Sequence, residues 1–228
     1  MMLAYVAPSI LAIGVLVGLY SAVKSRDFRI YRYLFYVFAI HTIVGFMWTL
    51  YTALMIIGEE LYRSMWCITF VGSVLFAIEL VVFTHGNIEE VLKKFLPGAI
   101  MLCPFMILFV HPYVFAIYIT PGIAIAIGFT GFVVALIIEL IYSASRVYSI
   151  MREGKIFYLW RRIMLLAVWY VIYGLTYSIV GVLTMSRVFP YELANLMIAV
   201  SYLIKSILMF GIVSYYHEKL EPLLSKLG

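Results

Sequence analysis

Glutamine is absent from this chain, asparagine occurs only at Asn87 and Asn195, and charge is scarce: 12% of the 228 residues are Asp, Glu, Lys or Arg, against 66% hydrophobic. So few charges cannot cover a soluble domain of this length, and no polar stretch approaches the size of one. The mean hydropathy of +1.09 means that the average residue prefers lipid to water. The shortage of Asn and Gln matches what proteins of hot environments tend to show, so a thermophile source is expected. Only two cysteines occur, Cys67 and Cys103, both inside apolar segments, where a small buried thiol fits better than a disulfide or a metal ligand. No zinc motif, nucleophile elbow or phosphate loop is present, so soluble-type enzymology has nothing to rest on and an enzyme is not expected. The N-terminal run MMLAYVAPSILAIGVLVGLYSAV has no basic residue ahead of it and no small-residue cleavage site after it, which argues for a first transmembrane helix over a removed signal peptide.

Apolar stretches long enough to cross a hydrocarbon core of about 30 Å recur along the whole chain. Their approximate limits are 3 to 23, 33 to 57, 63 to 84, 92 to 111, 121 to 145, 160 to 184 and 191 to 216. The expected fold is all-α: a seven-transmembrane-helix bundle forming one membrane domain over 1–216, with a cytoplasmic amphipathic tail over 217–228. An odd number of spans puts the termini on opposite sides, and Lys and Arg assign the sides because cytoplasmic loops retain them. Lys24, Arg26, Arg29, Arg32, Lys93, Lys94, Arg146, Arg152, Lys155, Arg161, Arg162, Lys219 and Lys226 all fall on one face, whereas the other has Arg63 and Arg187. The N-terminus is therefore expected outside and the C-terminus in the cytoplasm, as in a multi-pass protein of the cell membrane. The net charge of +5 is then a topology signal, and nucleic-acid binding is not expected. Tyr31, Tyr33, Tyr148, Tyr158, Trp160, Tyr215 and Tyr216 cluster near the inner boundary, where amphipathic rings favour the headgroup region.

Two connections stand out. The segment Pro112 to Thr120 is too apolar for an ordinary loop and too short to span, and it would cover the outer mouth of the bundle. The tail HEKLEPLLSKLG repeats leucine at 220, 223, 224 and 227, a helical stripe suited to the inner headgroups despite Pro222. Gly14 and Gly18 form a GxxxG in the first span; it serves either close approach of another chain, giving a homo-oligomer or membrane-protein partner, or packing within this one.

Away from the loops, Glu79, Glu139 and Lys205 are the formally charged residues inside spans, and His41 is the histidine well inside the membrane. A charge near the bilayer centre costs about 2.5 to 3.5 kcal/mol even on insertion scales, so each should face the bundle interior or water. Counting about 1.5 Å of rise per residue from each cytoplasmic boundary puts Lys205 roughly 15 Å deep, His41 about 13, Glu139 about 10 and Glu79 about 8. Three readings follow. Lys205 is neutralised by Glu139 or Glu79 in a structural ion pair; the four residues form a proton or ion path; or Lys205 is a neutral amine able to condense with an aldehyde.

With seven helices, an outside N-terminus, a short chain and a lysine halfway along the last helix, the sequence resembles the microbial rhodopsins. Trp66 and Thr69 match that family's W-x-x-T pattern in helix three, and Tyr170, Tyr173, Gly174 and Tyr177 take the places of W-x-x-Y-P-x-x-W in helix six. The resemblance implies a retinal cofactor carried on Lys205, enclosed by Trp66, Thr69, Tyr170, Tyr173 and Tyr177, with Met65 and Ser201 beside the attachment point. At Met65 and Ser201 the family places carboxylate counterions. Tyr62 falls where its arginine would be, with Arg63 displaced by one, and Val71 and Gly174 replace prolines. Without the usual counterions an ordinary light-driven proton pump is not expected.

Two other patterns fail. Glu59, Glu60 and Arg63 give EExxR where intramembrane CAAX-type proteases have EExxxR, and His85, His111 and His217 lie at span boundaries, leaving His41 no partner for haem. The expected function is a rhodopsin-like membrane receptor or sensor that binds retinal or another apolar small molecule near Lys205. The alternative is a non-pigment membrane protein, either a small proton- or ion-coupled transporter or an accessory subunit, using Lys205, Glu139, Glu79 and His41 as its polar path.

Overall fold

The computed structural model describes residues 2–28, 31–57, 155–185 and 190–225, together with 72, 75, 76, 78, 79, 82 and 83. Among these residues every regular element is helical: α1 (Met2–Ser25), α2 (Tyr33–Ile57), α3 (Lys155–Met185), α4 (Tyr191–Tyr215) and α5 (Glu221–Leu224). A π-helical turn, Tyr216–Leu220, joins α4 to α5. The isolated described residues between 72 and 83 are also in helical conformation.

Three of these helices are long and apolar enough to cross a membrane: Tyr5–Ser25, Tyr33–Leu54 and Glu192–Leu224. Their outward faces are as apolar as their inward ones. Ile13, Leu16, Leu19 and Val23 on α1, Ile43, Phe46 and Leu50 on α2, and Met197, Val200, Ile207 and Phe210 on α4 are all exposed. A helix in water would carry charge on that side, whereas one in lipid needs none. Hydroxyls on these helices are satisfied locally, as lipid requires: Ser21 donates to the Val17 carbonyl at 2.8 Å, Thr42 to Phe38 at 2.8 Å, Thr49 to Gly45 at 2.8 Å and Thr52 to Trp48 at 2.9 Å.

Helix α1 packs along both α2 and α4, and α3 packs against the other side of α4. The first contact follows from the short connection between α1 and α2, closed by bonds such as Phe28 N–H to the Ser25 carbonyl at 3.1 Å. The second needs glycine. A Cβ built on Gly45 would lie 1.9 Å from the Tyr202 hydroxyl oxygen, and one on Gly14 2.8 Å from the same ring. Tyr202 of α4 thus lies in a notch cut by glycines from two helices. Gly18 faces Thr42 and His41 of α2, so both members of the GxxxG are used in packing within the chain.

The α1–α2 connection, the end of α4 and the start of α3 meet at one end of the bundle. Phe28 stacks on Tyr216 with ring centroids 4.0 Å apart, and His217 Nε2 lies 3.0 Å from the Lys24 carbonyl. Arg162 donates to the Gly211 carbonyl at 3.0 Å and covers the Tyr215 ring at 5.0 Å. The basic residues Lys24, Arg26, Arg32, Arg161, Arg162 and Lys219 therefore gather at a single end.

The chain continues helically past residue 216, where the sequence suggested a separate tail. Pro222 has no N–H to bond back, and the wider turn just before it accommodates that loss, with the Glu221 N–H reaching the Tyr216 carbonyl. Leu220 is buried in the core, and Leu223 and Leu224 are half-buried against the bundle. Leu227, like the Pro112 to Thr120 segment and the expected spans 92 to 111 and 121 to 145, lies outside the described residues.

Candidate functional site

On α4 the inward residues recur at helical spacing: Ile198, Tyr202, Lys205, Met209, Ile212 and, just past the helix, Tyr216 are buried. Lys205 belongs to this stripe and cannot leave it without turning the whole apolar face of α4 outward. On α3 the buried residues include Leu159, Ile163, Leu166, Tyr170 and Tyr173, at the alternating three- and four-residue steps of a helix that keeps one side to its neighbours. That register aims both tyrosines at α4. Glu79 shares a helical face with Phe76, three residues before it, and Phe83, four after.

These three faces meet at the Lys205 amine. Lys205 and Glu79 are both fully buried. Nζ lies 2.9 Å from Glu79 Oε1 and 3.0 Å from Oε2, so the carboxylate holds the ammonium with both oxygens. The Tyr170 hydroxyl also donates to Oε1. Around the same nitrogen stand the faces of Tyr170 at 4.1 Å, Phe76 at 4.8 Å and Tyr173 at 5.1 Å, all within cation–π range. A carboxylate and three rings thus enclose the amine.

His41 of α2 adds a third titratable group. Its ring is fully buried and stacks on Tyr202 with centroids 4.2 Å apart. Nε2 lies 2.9 Å from the Ser206 hydroxyl, and Nδ1 lies 3.5 Å from Glu79 Oε1, beyond a good hydrogen bond. Among the described residues that Nδ1 has no hydrogen-bond partner. Ser206 donates in turn to the Tyr202 carbonyl at 3.0 Å, and the Tyr202 hydroxyl to the His41 carbonyl at 2.9 Å. Glu79, Lys205, His41, Ser206, Tyr170 and Tyr202 therefore form one connected polar cluster inside an apolar bundle.

The residues singled out in the sequence fall into three groups. Lys205, Glu79, His41, Tyr170 and Tyr173 come together. Ser201 is buried on α4, but its role here is through the backbone: its carbonyl accepts the Trp169 indole N–H at 2.8 Å. Met65, Trp66, Thr69 and Glu139 lie outside the described residues, as do both cysteines, and Tyr177 belongs to α3 without a described side chain. Of the two carboxylates that the sequence offered to Lys205, Glu79 is found on its nitrogen, fully buried.

Phe76, Tyr202 and Ser206 are additions to that set. Their signals were spacing: Phe76 is three residues before Glu79, and Tyr202 and Ser206 are three before and one after Lys205. Among the described residues no three His, Cys, Asp or Glu side chains form a group able to hold a metal ion. Comparison of the chain with protein-family models, with curated proteins and with solved structures finds no match.

Proposed function

We propose that the chain is a seven-helix membrane protein, N-terminus outside and C-terminus cytoplasmic, that works as a small proton- or ion-coupled transporter or as the charge-carrying subunit of a membrane complex. Helices α1, α2 and α4 supply three spans, and the stretch of α3 from Ile163 to Met185 contains no charged residue. The three remaining spans rest on the sequence, and the sidedness rests on the basic end of the bundle, which the positive-inside rule assigns to the cytoplasm. The lipid bilayer is the immediate surrounding.

One observation carries the reading: a third titratable side chain, His41, stands 3.5 Å from a carboxylate that already holds Lys205. A purely structural pair needs only its two charges. With His41 at hand, a proton has three neighbouring seats, and moving it among them changes which of Lys205, Tyr170 and His41 the carboxylate holds. Such a change at the meeting point of α2, α3 and α4 gives helix packing a charge-dependent choice. The test is proton flux into liposomes containing the purified protein. Glu79→Gln is expected to abolish a protein-dependent flux, and an unchanged flux in that variant would remove the path.

A second reading follows from the same amine. The resemblance to microbial rhodopsins placed no carboxylate beside Lys205, since Met65 and Ser201 stand where the family has acids. Glu79 supplies one from another position, and Phe76, Tyr170 and Tyr173 give the amine aromatic walls. These residues fit the aldehyde end of retinal: Lys205 would carry it, Glu79 would balance the charge and the three rings would flank it. Bound there, retinal would supply light absorption, making the protein a receptor or sensor. Addition of all-trans retinal to purified protein tests this. A shifted absorbance band that is lost in Lys205→Ala supports it, and unchanged free-retinal absorbance ends it.

A further inference from the structure

The surroundings of the Lys205 head have the composition of a recognition site for a cation. Three aromatic faces stand 4.1, 4.8 and 5.1 Å from Nζ, and a carboxylate takes the fourth side with both oxygens at hydrogen-bond distance. The rings come from separate places in the chain, Phe76 from one segment and Tyr170 and Tyr173 from α3, while the cation they enclose comes from α4. A buried ion pair needs a counter-charge and hydrogen bonds; it does not need three rings presenting their faces to the ammonium. Ring faces hold cations that give up their water, which small, strongly hydrated metal ions resist.

We infer that Glu79, Phe76, Tyr170 and Tyr173 form a binding site for a small primary ammonium ion, which the Lys205 head fills as a tethered stand-in. This rests on the transporter reading and names the class of ion it would carry. The carboxylate selects within the class. Contacts of 2.9 and 3.0 Å to its two oxygens require N–H donors, so methylammonium fits and tetramethylammonium, which has none, does not. A tethered head competes at high effective concentration, so the intact protein binds free methylammonium weakly, and removing the head opens the site.

The experiment is titration of purified, detergent-solubilised protein with radiolabelled methylammonium. Lys205→Ala is expected to bind it saturably, at least about tenfold more tightly than the unsubstituted protein. Adding Glu79→Gln to Lys205→Ala is expected to abolish the binding, and adding Phe76→Leu to weaken it roughly tenfold. Equal binding with and without Lys205, binding that survives Glu79→Gln, or tetramethylammonium binding as tight as methylammonium would each overturn the assignment. So would absence of saturable binding in a monodisperse Lys205→Ala preparation. Lys205→Met is carried in parallel and judged by the same outcomes if the alanine variant is not recovered. Proton flux dependent on Glu79 without methylammonium binding removes this inference and leaves the transporter reading standing.

Discussion

Replacing Glu79 by alanine removes, in one step, both oxygens that hold the Lys205 ammonium and the acceptor of the Tyr170 hydroxyl. All three side chains are at most 1% exposed, so no water reaches them to take over. Removing one partner of a buried charge pair costs about 3 to 5 kcal/mol, most of it from stranding the other charge. The rings beside Nζ return part of this, at about 0.5 to 2 kcal/mol for a cation–π contact. The expected loss for Glu79→Ala alone is therefore about 2 to 4 kcal/mol. For a chain of this size that corresponds to roughly 5 to 15 °C in unfolding midpoint. Replacing both charges, as Glu79→Leu with Lys205→Met, leaves no stranded ion, so the double variant should recover most of the loss. The assay is thermal unfolding of the three proteins in one detergent, followed by intrinsic tryptophan fluorescence. A single variant within about 1 kcal/mol of the starting protein, or a double variant no more stable than the single, would refute the claim that charge burial governs this site.

Two further outcomes test the packing and the sidedness. Gly45→Ala would press a methyl to within 1.9 Å of the Tyr202 hydroxyl oxygen, and such overpacking typically costs about 1 to 3 kcal/mol. The cost should fall when Tyr202 is also shortened to leucine, and independent, additive losses in the two variants would refute the notch. Asp27 and Glu192 are both exposed, Asp27 at the basic end and Glu192 at the start of α4 at the other end. With Cys67 and Cys103 replaced by serine, a membrane-impermeant maleimide should label Glu192→Cys in intact cells and Asp27→Cys only after permeabilisation; the reverse pattern would invert the orientation.

The membrane character was legible because it is a summed property: three helices expected from apolar length are present, and the limits of the helices themselves, Met2–Ser25, Tyr33–Ile57 and Tyr191–Tyr215, lie close to those counted along the chain. Lys205 and His41 were legible as inward residues for a related reason, since lipid offers a charge or an imidazole no partner and the helix must turn it toward protein. The partner of Lys205 was not. Glu79 and Glu139 are equivalent by composition, each a carboxylate in an apolar stretch, so the sequence offered both and preferred neither. Phe76 was missed because an aromatic residue in an apolar span has no signal of its own; it becomes informative only once Glu79 is fixed and the helical spacing between them is read as a shared face.

Tyr202 illustrates the converse limit and ties packing to the site. By sequence it is one of 19 tyrosines. Its position is set by two glycines on other helices, which admit the ring so closely that its hydroxyl reaches the His41 carbonyl at 2.9 Å and its face lies against the His41 imidazole. The imidazole is thereby fixed in plane and height, with one nitrogen on Ser206 and the other toward Glu79. The close approach of α1, α2 and α4 and the geometry of the buried charges are thus the same feature. Tyr202 and Lys205 lie three residues apart on the same buried face of α4, so the turn of helix seated in the glycine notch is also the one that carries the amine held by Glu79.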